Sequence, residues 1–452
     1  MSKNDQTATH PELTPSDMLD ELRFNIHEAP SQGLVLPPIM MWGQPGVGKS
    51  DLARQIGREL KRIVIDIRLL LKDPTDLSGI PYFNPDSKRM ETGAPSELPP
   101  SMSELDYLRS HLDEVGQPEM IEPSATEPTD RQLATIMDKL ERMDNGENVD
   151  FTDVEKSKLM YMVNAGNAVI FLDEISSAPP AVQAAALQLV LDRKVGEYKL
   201  PESVSLIAAG NRSEDNSVNF SMPTPLRNRF SHFTLVPHYE SWEQWAIDNH
   251  IHHLVVGYLK AHSGNLNTFN PKNRHEYAFA TPRSWEFVSN VLKALTDEKG
   301  NVKQEHYKRL QNQVYSMVGV GVGSEFMASF ELLGQLPDPM DILEGRVKTH
   351  DLESLKASAN YALIVNLCHR MHEKEQTLRS KQKDGNSTGE LHDTMNKYGD
   401  NYLNFLMENL DFQEDFIIMG ASIALKQYNL KIGECDAMDE LVDRYDNILT
   451  EL

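Results

Sequence analysis

Pro37-Pro38-Ile39-Met40-Met41-Trp42-Gly43-Gln44-Pro45-Gly46-Val47-Gly48-Lys49-Ser50-Asp51-Leu52-Ala53-Arg54-Gln55-Ile56 decides the fold of this chain. The apolar run ending at Trp42 suits a short buried strand, and the residues from Ser50 onward take up helical spacing, so the glycine-rich stretch lies between a strand and a helix. Gly43–Ser50 fits G-x-x-x-x-G-K-[ST] at every fixed position, in the strand-loop-helix context that gives the pattern its meaning. Glycines let backbone N–H groups turn inward around phosphates, and the helix N-terminus adds its positive dipole. Lys49 is placed to reach the β and γ phosphates, and Ser50 to offer a hydroxyl to Mg2+. Gly43, Gln44, Pro45, Gly46, Val47, Gly48, Lys49, Ser50 and Asp51 are therefore the expected nucleotide-binding residues, with ATP and Mg2+ as the expected ligands. No base-reading motif separates ATP from GTP.

Three further β-branched or apolar runs, Arg62–Ile67, Asn167–Leu172 and Val204–Ala209, are continuous enough to be buried parallel strands. Strands of this kind separated by helical stretches predict a doubly wound α/β domain with its ligand at the strands' carboxyl ends. Asp173-Glu174 directly follows one of these strands. Alone it reads as an acid pair favouring a helix N-terminus. With a phosphate loop upstream, Asp173 is expected to hold the Mg2+ shell and Glu174 to orient and polarise the attacking water. Asn211 closes the next strand, where its amide is expected to reach between that water and the γ-phosphate.

Acids outnumber bases 68 to 44, a net charge of −24, which argues against broad attraction to a nucleic-acid backbone. Two distant cysteines, Cys368 and Cys435, indicate neither a disulfide framework nor a zinc site. The polar N-terminus and the lack of a long apolar window predict a soluble, cytoplasmic protein with no membrane segment.

A length of 452 residues predicts more than one domain. Residues 1–13 read as a polar tail, and Thr14-Pro15-Ser16-Asp17 as the capped start of a helix that opens an α/β core over 14–235. Within it, about 81–164 reads as an insertion rich in Pro, Ser, Met and acids, 17 acids to 6 bases over 91–160. It is either a solvated surface excursion or a device for holding a partner, and residues 130–143 within it have helical periodicity. Helical patterns then predict an α-helical lid over 236–345 and a C-terminal helical extension over 346–452, with Thr377–Asp393 as an exposed loop.

The ordered set of Gly43–Ser50, Phe171-Leu172-Asp173-Glu174-Ile175-Ser176-Ser177-Ala178-Pro179-Pro180 with Gln183, Asn211, Pro225-Leu226-Arg227-Asn228-Arg229-Phe230 and Thr281-Pro282-Arg283 resembles the MoxR-like branch of the AAA+ ATPases. The resemblance covers about residues 36–290. It implies a homo-oligomeric ring, hexameric in this family, that hydrolyses ATP to remodel a protein client, often one with a von Willebrand A domain. It makes Asn211 the sensor 1 residue, Arg229 the arginine finger with Arg227 as the alternative, and Arg283 the sensor 2 residue. It also implies two hairpins facing a ring pore. Arg193-Lys194-Val195-Gly196-Glu197-Tyr198-Lys199-Leu200-Pro201 looks like one of them, and the 81–164 insertion falls where the other belongs but is longer and more acidic. A nucleic-acid motor and a nucleotide-gated scaffold stand as the alternative functions.

Gly319-Val320-Gly321-Val322-Gly323 reads as a helix-helix connection and not a dinucleotide turn. His250-Ile251-His252-His253 reads as solvated histidines on a helix, without metal-ligand spacing.

Overall fold

The computed structural model describes residues 10–85, 87–95, 97–116, 130–212, 215, 220–273, 275–295, 302–333, 336–353, 357–383, 388–410, 414–432 and 434–449. They form two compact units, 1–236 and 237–452. Ten strands are described: β1 Glu12–Leu13, β2 Ile39–Trp42, β3 Val64–Arg68, β4 Ile80–Asn84, β5 Arg89–Gly93, β6 Val169–Asp173, β7 Lys194–Val195, β8 Tyr198–Lys199, β9 Ser205–Gly210 and β10 Ser231–Leu235. Six make one parallel sheet in the order β1-β10-β2-β9-β6-β3. This is the α/β class expected, and the four predicted strands are β2, β3, β6 and β9.

Helices cover both faces, which is why the central strands are apolar without alternation. Val169 and Phe171 of β6 pack with Met41, Leu52 and Ile56 on one face, along with Met18, Leu22 and Ile26 from the first helix. Ile170 and Leu172 point the other way, against Val182, Ala186 and Leu189 of the helix Pro180–Asp192. Each such side chain, fully buried, contributes roughly 1.5–3 kcal/mol relative to exposure. The first helix begins as the sequence predicts: Thr14 and Asp17 cap one another reciprocally, with Pro15 in the first turn. Residues 1–13 are not all a tail, because Glu12 and Leu13 add the edge strand β1 beside β10.

The insertion is a packed subdomain and not a solvated excursion. It opens with the antiparallel pair β4–β5, which exposes Ile80, Phe83 and Met90. The helices Met102–Val115, Asp130–Asp144 and Asp153–Ala165 follow, sharing a core of Leu108, Val115, Ile136, Leu140, Leu159 and Met162. Several of its acids have local work. Glu104 and Glu155 complete capping boxes with Ser101 and Thr152, and Glu155 also takes Lys139 at 2.7 Å.

The second unit is helical, and a single core runs from Tyr239 to Tyr445, so the lid–extension boundary expected near residue 345 divides no core. Gly319, at φ +86°, ends the helix Tyr307–Val318 and is followed at once by Val320–Leu333, the connection predicted. The expected loop over 377–393 is largely helix instead, within Ala357–Lys383 and Thr388–Asn409, while 384–387 lie outside the described residues. The histidine reading also needs correction. His252 and His253 are buried at the start of the helix His253–Ala261, with His252 accepting from the Leu254 amide, and burial holds the His252 imidazole down at about 3. No helix among the described residues is long and apolar enough to cross a membrane.

Asp144, the last residue of its helix, accepts from His111 Nε2 at 2.8 Å and from the Tyr107 hydroxyl at 2.9 Å, tying two insertion helices together. Burial alone would lower the His111 pKa, but the Tyr107 carbonyl and the Asp144 carboxylate outweigh it and the net shift is upward. A raised histidine stabilises fully below its unfolded value of about 6.5, and the benefit is lost as pH climbs through the folded value. Amide exchange in residues 102–115 should therefore quicken, relative to the sheet, on passing from mildly acidic to mildly alkaline buffer. The difference should vanish in His111→Gln.

Candidate functional site

Because the sheet is parallel, the carboxyl ends of β2, β9 and β6 lie on one edge, with Trp42 paired to Gly210 and Leu172 to Ala208. Gly43, Asn211 and the Asp173-Glu174 pair, each at or just past its strand's end, are thereby brought together from distant parts of the sequence. Gly48 takes φ +105°, a conformation L side chains rarely adopt, and turns the loop into the helix Lys49–Glu59. Gly210 has a different reason: a Cβ there would sit 2.8 Å from both Ser176 Oγ and Met40 Cε.

Lys49 is 8% exposed. Its ammonium donates to the carbonyls of Gly43 at 2.7 Å and Gln44 at 3.2 Å, and to Asn211 Oδ1 at 2.8 Å. The amide of Asn211 in turn donates through Nδ2 to Glu174 Oε2 at 3.0 Å. Ser50 Oγ donates to Asp173 Oδ2 at 3.3 Å, while Asp173 Oδ1 accepts from the Glu174 amide at 2.9 Å. Glu174 holds φ +58°, in the left-handed region that costs a non-glycine residue about 1–2 kcal/mol. Such strain persists where the surroundings over-determine the backbone, and at functional sites most of all.

The turn after Glu174 is built for rigidity. The Ile175 amide donates to the Ala209 carbonyl, and Ser176 Oγ bridges the amide and carbonyl of Asn211 at 3.0 and 3.1 Å. Gln183, fully buried, donates to the carbonyls of both Ile175 and Ala178 at 3.1 Å. Ser177 Oγ donates to Glu174 Oε2 at 3.1 Å. Sequence reasoning assigned Ser176 and Ser177 no part in the site, because two serines after an acid pair look like any polar turn. Asp66 was also missed. It lies on β3 beside β6, and its carboxyl is raised by burial and by the charge of Asp173, against the pull of Arg68 and Arg54.

Asp51, Arg227 and Arg229 take no part in this hydrogen-bonded cluster. Asp51 pairs with Arg54 at 2.9 Å. Arg227 donates to Thr224 Oγ1 at 3.1 Å, and Arg229 is exposed with no partner among the described residues. Arg283 is exposed in the first turn of the helix Pro282–Leu295, in the second unit. In the hairpin β7–β8, Arg193 turns back to donate to the carbonyls of Pro201 and Val204 at 2.7 and 2.6 Å.

An arrangement of glycine-rich loop, acid pair and intervening amide is chemically able to position a phosphoryl group, a divalent cation and a water. No family model and no curated protein matches the chain. Among solved structures it is similar to the RuvB Holliday junction branch migration motor of Thermotoga maritima, with 13% identity over 73% of this chain and 74% of that one and a TM-score of 0.28. It is also similar to a candidate ATPase of Cytophaga hutchinsonii, with 14% identity over 79% of this chain and 74% of that one and a TM-score of 0.27. Likenesses this distant carry no argument about activity. The functional reading rests on the site itself.

Replacing Gln183 by Leu leaves the Ile175 and Ala178 carbonyls without their donor, which should cost on the order of 1–3 kcal/mol. Thermal or denaturant unfolding measures it. A Gln183→Leu chain as stable as the parent would show that the turn holds without this clamp.

Proposed function

We propose that this chain is a Mg2+-dependent ATPase of the AAA+ class, working as a homo-oligomeric ring that remodels a protein client as MoxR-like proteins do. The observation that carries the hydrolytic part is the hydrogen-bonded convergence of Lys49, Ser50, Asp173, Glu174 and Asn211 at one sheet edge. The residues fit the ligands. Ser50 and Asp173 are adjacent hard oxygen donors of the kind Mg2+ takes, and the glycine loop leads into a helix N-terminus that favours phosphate. Mg2+ held there would supply charge neutralisation to the phosphates. Lys49 would turn to phosphate oxygens, and Glu174 would orient and polarise the water.

What supports the ring reading is Arg229. Phosphoryl transfer gains from a cation beside the γ-phosphate, and Arg229, exposed and unpartnered among the described residues, is free to serve a neighbouring subunit. Arg227 is already engaged with Thr224, which favours Arg229 for this role. Arg283 is proposed as the sensor 2 residue. A hexamer, and a von Willebrand A domain in the client, rest on the sequence resemblance alone.

A nucleic-acid motor is the weaker reading. Of the three basic residues in the hairpin Arg193–Pro201, Arg193 is committed to backbone carbonyls, leaving Lys194 and Lys199 beside Glu197 on a chain of net charge −24. A non-hydrolysing scaffold would have no need of Lys49, Asp173, Glu174 and Asn211 together.

Glu174→Gln should retain nucleotide binding while hydrolysis falls roughly a hundredfold or more. Full turnover in that variant would remove Glu174 from the mechanism. Hydrolysis per protomer should rise steeply with protein concentration. Arg229→Ala and Glu174→Gln, each inactive alone, should recover part of the wild-type rate when mixed, since each supplies what the other's site lacks. A concentration-independent rate with no recovery on mixing would refute the shared site.

A further inference from the structure

We propose that Ser177 is a positioning residue for hydrolysis: its hydroxyl anchors one oxygen of the Glu174 carboxylate so that the other stays directed at water. The inference rests on the ATPase reading above and assigns a role which that reading does not need.

The two oxygens of the Glu174 carboxylate are not shared equally. Glu174 Oε2 accepts from both Ser177 Oγ at 3.1 Å and Asn211 Nδ2 at 3.0 Å, while Oε1 has no donor among the described residues. An ionised carboxylate has about four acceptor sites, so two donors on one oxygen fix its plane and leave the other oxygen available. A flexible two-carbon stem would otherwise let the group swing. Positioning to within a fraction of an ångström is what catalysis of this kind depends on.

The two anchors are not equivalent. Asn211 is divided three ways, since its Oδ1 holds Lys49, its Nδ2 holds Glu174, and its proposed role reaches for the γ-phosphate. When Lys49 moves to phosphate, Asn211 loses the acceptor contact that sets the orientation of its amide. Ser177 is mounted on the turn itself. It is 5% exposed, its amide donates to the Glu174 carbonyl at 3.0 Å, and the Ala178 amide donates to the same carbonyl at 3.1 Å. Gln183 holds the carbonyls on either side of Ser176 and Ser177. Ser177 is thus mounted on the same rigid turn that forces Glu174 to φ +58°, and it keeps hold of the carboxylate while Asn211 is reassigned.

The test is steady-state ATP hydrolysis by the full chain with Mg2+, alongside equilibrium binding of a fluorescent ATP analogue. Ser177→Ala should lower kcat about tenfold with KM and analogue affinity within about twofold of wild type, the effect of losing one hydrogen bond to a charged group. Ser177→Thr, which keeps the hydroxyl, should restore most of the rate. An unchanged kcat in Ser177→Ala, on an active wild type, overturns the inference and leaves the ATPase reading standing. A parallel loss of kcat and nucleotide affinity, not restored by threonine, also overturns it by revealing a purely structural serine. A wild-type chain that binds the analogue but never turns ATP over removes the hydrolytic reading and this inference with it.

Discussion

A buried ammonium group is the constraint on which this site depends. Lys49 is nearly enclosed, and a charge taken out of water must find its acceptors in the protein. It finds them in the loop it belongs to and in the amide of Asn211 at the next strand's end. The loop therefore closes on its own lysine, and the closure recruits Asn211 and, through it, Glu174. Three segments become one hydrogen-bonded chain, its two links spanning 162 and 37 residues of sequence. Any group that drew the lysine away from Asn211 would act on the carboxylate through that same amide.

Much of this was legible in the sequence because the physics is local. A phosphate loop needs glycines at fixed spacing between a strand and a helix, and a parallel strand buried on both faces shows as an unbroken apolar run, as in Val169–Leu172. The strands that escaped lack that signature. β10 reads Ser231-His232-Phe233-Thr234-Leu235, and its histidine is accommodated by partners that include the distant Trp42, whose Nε1 donates to its Nδ1, and the nearby Arg227 carbonyl, which faces its Nε2. β1 has two residues and exists only because β10 offers an edge.

Several other failures share one cause, which is that polarity was read as exposure. His252 and His253 lie at the head of the helix His253–Ala261, whose residues Leu254–Leu259 are all buried, and they are carried inside with it. The acidic insertion looked solvated, yet its carboxylates cap helices and pair with Lys139 and His111 around a small apolar core. Ser177 is the same lesson at the site: its partner is three residues away, but only the left-handed backbone at Glu174 turns the two side chains together.

The hairpin β7–β8 is joined to the sheet in an uneven way. Arg193 staples its base to Pro201 and Val204, immediately before β9 begins, and the opposite end of β9 carries Asn211. Its tip is stopped against the insertion, where Gly196 has no room for a methyl group beside Thr92 and Tyr198 donates to the Pro99 carbonyl at 2.7 Å. A six-residue strand hydrogen-bonded to neighbours on both sides is a strut of about 20 Å, stiff along its axis. Asn211 and the hairpin that abuts the insertion are thus opposite ends of one rod, and the insertion is its abutment.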